Sequence, residues 1–135
     1  MKIAVMGVGG VGGYYGGLLA KRYAESGDVE IIFIARGRHL EAIRTDGLKL
    51  LNQEEEFTVR PALATDNPVE CGSIDILLLC TKGYDLEDSA RLVSPGVDNN
   101  TVIISLLNGV NHPERFSAAL HKGKILNGCV YLSAH

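Results

Sequence analysis

The chain has 135 residues, 46% of them apolar, and a formal net charge of −3 at pH 7. That length fits one domain able to bury about two thirds of its unfolded surface, and the composition is globular, without low-complexity runs. The mild acidity excludes capture of nucleic acid or anionic membrane by overall charge.

The elements are predicted in chain order. "KIAVMG" opens directly as a strand, with no charged n-region before a long apolar core, so no signal peptide is expected. A helix follows from about Val11 to Ser26, then a second strand, "VEIIFIA". "RHLEAIRTDG" reads as a short helix ended by Gly47. "GLKLL" and "EFTVR" flank the polar "NQEEE" and suggest a hairpin. The turn-rich "TDNPVECGS" leads to the strand "IDILLLC". "YDLEDSARLV" is helical and stops before "SPG", because proline cannot continue a helix. A strand "TVIISLL", a helix "HPERFSAALH" and a last strand "KILNGCVYL" complete the series. The apolar runs are too short to span a bilayer. Strands apolar throughout, alternating with helices, predict an α/β fold: a doubly wound, mostly parallel sheet with helices on both faces. The chain stops a few residues after a strand with no closing helix, and a cut in a longer protein is expected there.

Gly7, Gly9 and Gly12 satisfy G-x-G-x-x-G directly after a strand and at the opening of a helix. The pattern alone is weak; with a second strand about twenty residues on, it points to dinucleotide binding. Gly7 permits the tight turn, Gly9 lets backbone approach a pyrophosphate, and Gly12 lets helix and strand pack closely. The whole loop, Gly7, Val8, Gly9, Gly10, Val11 and Gly12, is therefore assigned to the cofactor, whose diphosphate would sit on the helix N-terminus. Gly16 and Gly17 repeat Gly12 and Gly13 one turn later and are expected to give the helix a smooth face toward the sheet. A ligand-free glycine turn is the plainer alternative. A P-loop is excluded because no Gly-Lys-Ser/Thr follows.

The second strand ends in "FIARGRH". NAD sites usually carry an acidic residue there for the ribose 2′-hydroxyl, whereas arginine suits a 2′-phosphate. Arg36, with Arg38 behind it, favours NADP over NAD. Thr81 and Lys82 follow one later strand, and Asn108 and Gly109 follow the next. Ligands of open α/β sheets bind at the carboxyl ends of strands, so Lys82 and Asn108 are candidates for positioning substrate and nicotinamide. Cys71, Cys80 and Cys129 lack CxxC spacing and read as reduced thiols in a cytoplasm, with Cys80 and Cys129 as small core residues. His39, His112, His121 and His135 show no metal-ligand spacing and read as surface residues; no metal is expected.

"KIAVMGVGGVGGYYGGLLA", "IARGRHLEAIRTDGLKL", "CTKGYD", "LLNGV" and "GCVYLSA" come in the order and near the spacing of ketopantoate reductases (2-dehydropantoate 2-reductases), which the chain resembles over nearly its whole length. The resemblance implies a Rossmann-type domain that holds NADPH, with a helical C-terminal domain that closes over the substrate and is absent here. It implies that Gly7 to Gly12 cradle the pyrophosphate and that Arg36 meets the 2′-phosphate. Lys82 would lie near nicotinamide and substrate, Asn108 would contact both, and Ala134 would make a backbone contact to the cofactor. Leu107 departs from the family, many of whose members carry a polar residue there. The family's catalytic lysine and glutamate belong to the C-terminal domain, so no catalytic residue is assigned within 1–135.

The expected function is that of the NADP-binding domain of a reductase converting 2-dehydropantoate to pantoate for coenzyme A synthesis. The alternatives are an NADP-dependent reductase of another 2-oxo or 2-hydroxy acid, and a non-catalytic NADP(H)-sensing module. A small 2-oxo acid, the missing domain in cis and a homodimer are the expected partners; nucleic acid and membrane are not.

Overall fold

The computed structural model of the chain describes residues 1–51, 55–81, 86–106 and 112–128. The elements run β1 (Lys2–Met6), α1 (Gly10–Arg22), β2 (Glu30–Ile34), α2 (Gly37–Asp46), β3 (Leu48–Leu51), β4 (Glu56–Val59), β5 (Leu63–Thr65), β6 (Ile76–Leu79), α3 (Leu86–Val93), β7 (Val102–Ser105), α4 (His112–Leu120) and β8 (Lys124–Asn127). Six of the strands form one sheet in the order β5-β2-β1-β6-β7-β8, and every pairing in it is parallel. Counted without the hairpin, this is the 3-2-1-4-5-6 order of the Rossmann fold. The expected doubly wound α/β architecture is therefore observed.

β1 and β2 are apolar residue after residue because both of their faces are covered. Val5, Ile31 and Phe33 belong to one core cluster with Val8 and Ala20. Ala4, Met6, Ile32 and Ile34 belong to the other, with Leu77, Leu79, Leu86 and Phe116. Side chains alternate across a strand, so the two clusters lie on opposite faces of the sheet.

The hairpin is present, but it forms a separate two-stranded antiparallel sheet, with Leu50 opposite Phe57. It packs on the outside of α1, where Lys21 Nζ stands 4.2 Å from the centre of the Phe57 ring and also pairs with Glu55.

One expectation needs correction, and one strand is added. α1 ends at Arg22 rather than at Ser26: the Tyr23 N–H closes on the Leu19 carbonyl at 3.0 Å, and Ser26 Oγ then accepts from the Asp28 and Val29 N–H groups. A serine side chain that satisfies the backbone locally competes with helix and turns the chain into β2. β5 was not anticipated, because three residues ending in threonine carry too little pattern. It forms because β2 offers a free edge, which takes Ala62 N–H at the Ile31 carbonyl and returns Ala35 N–H to the Thr65 carbonyl.

Candidate functional site

β1 ends in a turn that only glycine fits. Gly7 has φ +90, and a Cβ there would come within 2.9 Å of the Cys80 carbonyl carbon and the Thr81 nitrogen. The next two motif glycines answer to different constraints. A Cβ on Gly12 would overlap the Gly7 carbonyl oxygen and stand 3.0 Å from Cys80 Cβ, so the helix is pressed against the strand ends. A Cβ on Gly9 would meet nothing within 4 Å, so the loop faces open space at that point. The three positions thus show, in order, the tight turn, the open approach and the close helix contact that the motif's spacing predicts. One turn on, Gly16 faces Val5 and Phe33 of the main sheet, but Gly17 faces Leu50 of the hairpin. The glycine stripe of α1 therefore serves two sheets rather than one.

The first backbone bond of α1 joins the Gly13 N–H to the Gly9 carbonyl at 2.6 Å. The N–H groups of Gly10, Val11 and Gly12 precede it and have no intrahelical acceptor. No side chain caps this end, and the first turn carries no acidic residue. Val8, 4% exposed, anchors the loop from below, while Gly9 and Gly10 lie at the surface. A donor cluster at a helix dipole's positive end, beside space left by a missing side chain, fits the diphosphate of a dinucleotide.

Arg36 is exposed and extended (φ −146, ψ 164) at the N-cap of α2, immediately after β2. β2 lies beside β1, and the Gly7 N–H donates to the Ile34 carbonyl, so Arg36 leaves the sheet next to the glycine loop. α2 has no acidic residue in its first turn either. A residue that the sequence reading placed at the surface belongs to this site as well: the His39 ring, although exposed, reaches the Val8 carbonyl. Its signal was its place in the first turn of a helix opened by Arg36.

Thr81 follows β6 against Gly7, and its enclosed Oγ1 has no hydrogen-bond partner among the described residues; the same holds for Ser105 Oγ at the end of β7. Cys80, half-buried beside Gly12, is pushed up to about 12 by burial, which keeps it a thiol and removes it as a nucleophile. Cys71, not Cys80, is the cysteine fully inside the core, its thiol also raised by burial. Cys129 lies outside the described residues, as do Lys82, Leu107, Asn108 and Ala134.

Far from the glycine loop, an open groove of about 510 Å³ runs between α4 and β8, lined by Ser117, Ala118, His121 and Ile125 among others. Among the described residues no three His, Cys, Asp or Glu side chains are grouped to hold a metal ion, and no helix is long and apolar enough to cross a membrane.

Residues 3–135 match the family model described as ketopantoate reductase PanE/ApbA. An uncharacterized oxidoreductase of Bacillus subtilis, YkpB, is 32% identical over 134 residues, which is 99% of this chain and 42% of that protein. The crystal structure of 2-dehydropantoate 2-reductase from Porphyromonas gingivalis superposes with a TM-score of 0.90 at 47% identity, covering 98% of this chain and 47% of that one. A D-mandelate dehydrogenase solved with NADH and anilino(oxo)acetate is similar at a TM-score of 0.77 and 25% identity, over 94% of this chain and 40% of its own. The chain thus spans less than half the length of these relatives. By its sequence, its sheet order and its glycine loop, the chain belongs to the ketopantoate reductase family.

Proposed function

We propose that residues 1–135 form the NADP-binding domain of a cytoplasmic, NADPH-dependent reductase that converts 2-dehydropantoate to pantoate, in the synthesis of coenzyme A. The carrying observation is the glycine loop: open at Gly9, uncapped at α1, and flanked by Arg36 where an NAD site would carry a carboxylate. The chemistry that a bound NADPH supplies is a hydride at C4 of its nicotinamide, delivered to the ketone carbon of the 2-oxo acid.

The chain's own contribution is binding and orientation. The loop Gly7–Gly12 would hold the diphosphate through backbone N–H groups, and Arg36 would pair its planar fork with the 2′-phosphate. Thr81, whose enclosed Oγ1 has no hydrogen-bond partner among the described residues, follows β6 beside β1 and against Gly7. In the same reading Lys82 and Asn108 position the substrate and nicotinamide, and Ala134 gives a backbone contact to the cofactor. The support for the first two is that β6 and β7 are parallel neighbours, so that Thr81 and Leu106 follow them at the sheet edge bearing the glycine loop.

Protonation of the developing alkoxide needs an acid within hydrogen-bond reach. We assign it to the part of a longer protein that lies beyond the shared region, since the relatives are more than twice as long as this chain. Self-association through the apolar edge at β8, where Leu126 is exposed, belongs to the same reading.

The test is calorimetric titration of the chain with NADPH and NADH. NADPH is expected to bind about ten- to a hundredfold more tightly, the range of one charge-assisted contact. Arg36→Ala should erase the preference, and Gly9→Val should abolish binding of both while leaving the circular dichroism native. Equal affinities in the unaltered chain would remove Arg36 from the site. NADPH consumption with 2-dehydropantoate is then expected from the longer protein and not from this chain alone. The D-mandelate dehydrogenase likeness favours one second reading, another 2-oxo acid as substrate; turnover of such an acid, and not of 2-dehydropantoate, would establish it. A longer protein that binds NADPH and reduces no 2-oxo acid would be a sensor.

A further inference from the structure

α2 begins beside the glycine loop and sends one side chain back to it. His39 Nε2 lies 2.6 Å from the Val8 carbonyl oxygen. A carbonyl only accepts, so Nε2 carries the proton and donates. Val8 and Gly9 share the peptide bond at the most open point of the loop, where Gly9 has no neighbour on its Cβ side. A glycine at such a place leaves that peptide free to rotate unless something holds it. In a trans peptide the carbonyl and the following N–H point to opposite sides. A Val8 carbonyl held toward α2 therefore turns the Gly9 N–H away from α2. The buried Val8 side chain anchors the residue itself, whereas the contact from His39 sets the direction of its carbonyl.

We propose that His39 is a positioning residue for the dinucleotide: it locks the Val8–Gly9 peptide in the orientation that presents the loop's N–H groups to the diphosphate. This rests on the dinucleotide reading of the loop and adds to it a division of labour within α2. Arg36, at the N-cap, acts on the 2′-phosphate that only one cofactor has. His39, one turn later, acts through the loop on the diphosphate that both cofactors share.

The experiment titrates NADPH and NADH into the chain and into its His39→Ala, His39→Gln and Arg36→Ala variants. His39→Ala is expected to weaken both cofactors about five- to tenfold, the loss of one hydrogen bond, with the ratio between them unchanged. His39→Gln, whose amide nitrogen can stand where Nε2 stands, should recover most of that loss, which a purely structural defect would not do. Arg36→Ala should change the ratio instead. Unchanged binding by His39→Ala would overturn the proposal. So would a loss confined to NADPH, which would make His39 a direct ligand of the 2′-phosphate, or a glutamine variant as weak as the alanine one. If the unaltered chain bound neither dinucleotide, the reading of the loop would itself fall, a result distinct from normal binding with an indifferent His39.

Discussion

Around β1 and β2 both faces of the sheet are covered, Val5, Ile31 and Phe33 in one core cluster and Ala4, Met6, Ile32 and Ile34 in the other. Around β7 and β8, among the described residues, one face is buried well and the other is not. There Ile103 is enclosed with Phe116 and Leu120 of α4, while Val102 and Ile104 on the opposite face are half-buried and Leu126 is 56% exposed. The difference follows from which helices cross which face. α1 approaches the sheet closely because Gly12 and Gly16 remove the side chains that would hold it off. α3 and α4 belong to the other cluster, and their half of the sheet has no equivalent of α1 among the described residues. Close helix-to-strand packing at Gly12 and Gly16 thus stands beside the open loop at Gly9.

The largest test of that contrast is Phe33→Ala against Leu126→Thr. Phe33 is fully enclosed, so its truncation should cost about 3–5 kcal/mol in urea unfolding. Leu126→Thr should stay within about 0.5 kcal/mol, as surface changes usually do. A large loss at Leu126 would mean that the second half is packed after all.

A smaller effect separates two neighbours on α1. Gly12→Ala should destabilise by about 1–3 kcal/mol, since the methyl group would overlap the Gly7 carbonyl. Gly13→Ala should stabilise by about 0.5–1 kcal/mol, because its Cβ would meet Val8 only at an ordinary 3.8 Å and alanine favours the helix. Denaturant midpoints of the two variants moving the same way would show that α1 is not pressed onto the strand ends at Gly12.

The least effect is expected in the second half, where Arg115 of α4 grips Glu87 of α3 through two bonds of 2.8 Å. Those bonds hold the Glu87 carboxyl below the ordinary glutamate range. A depressed folded-state value means stability that is present above the unfolded value and lost as pH falls through the folded one. Both side chains are partly exposed, so the contribution is modest. Thermal midpoints of the chain and of Glu87→Gln should differ at neutral pH and converge in acid, once the pH has fallen through the folded-state value. A gap that persists in acid would assign the loss to packing instead of charge.

Legibility in the sequence tracked how local each cause is. The local geometry at Gly7, Gly9 and Gly12 was readable because a strand, a turn and a helix start lie within a dozen residues, and their constraints are mutual. The place of Arg36 beside that loop was readable by its distance from it, since a right-handed strand–helix–strand unit returns the second strand beside the first. β5 was not, because it exists through the edge of β2 and not through its own pattern. His39 was read as a surface residue, which its exposure bears out, but its bond to Val8 depends on how α2 lies against the loop. Cys71 and Cys80 look alike in the sequence, and only packing made one fully buried and the other a half-buried neighbour of Gly12.

By itself the sequence determined the alternation of strands and helices, the parallel sheet and the glycine loop with its arginine. Each of these follows from periodicity, from turn chemistry or from a missing Cβ, which are properties of neighbouring residues. Tertiary structure decided that the hairpin would leave the main sheet and settle on α1, where Leu50 fills the space Gly17 leaves. It also decided that α2 would bring His39 to the Val8 carbonyl, and which face of β7 the residues of α4 would cover. These depend on contacts between residues distant in the chain, and no local pattern records where two such surfaces will meet.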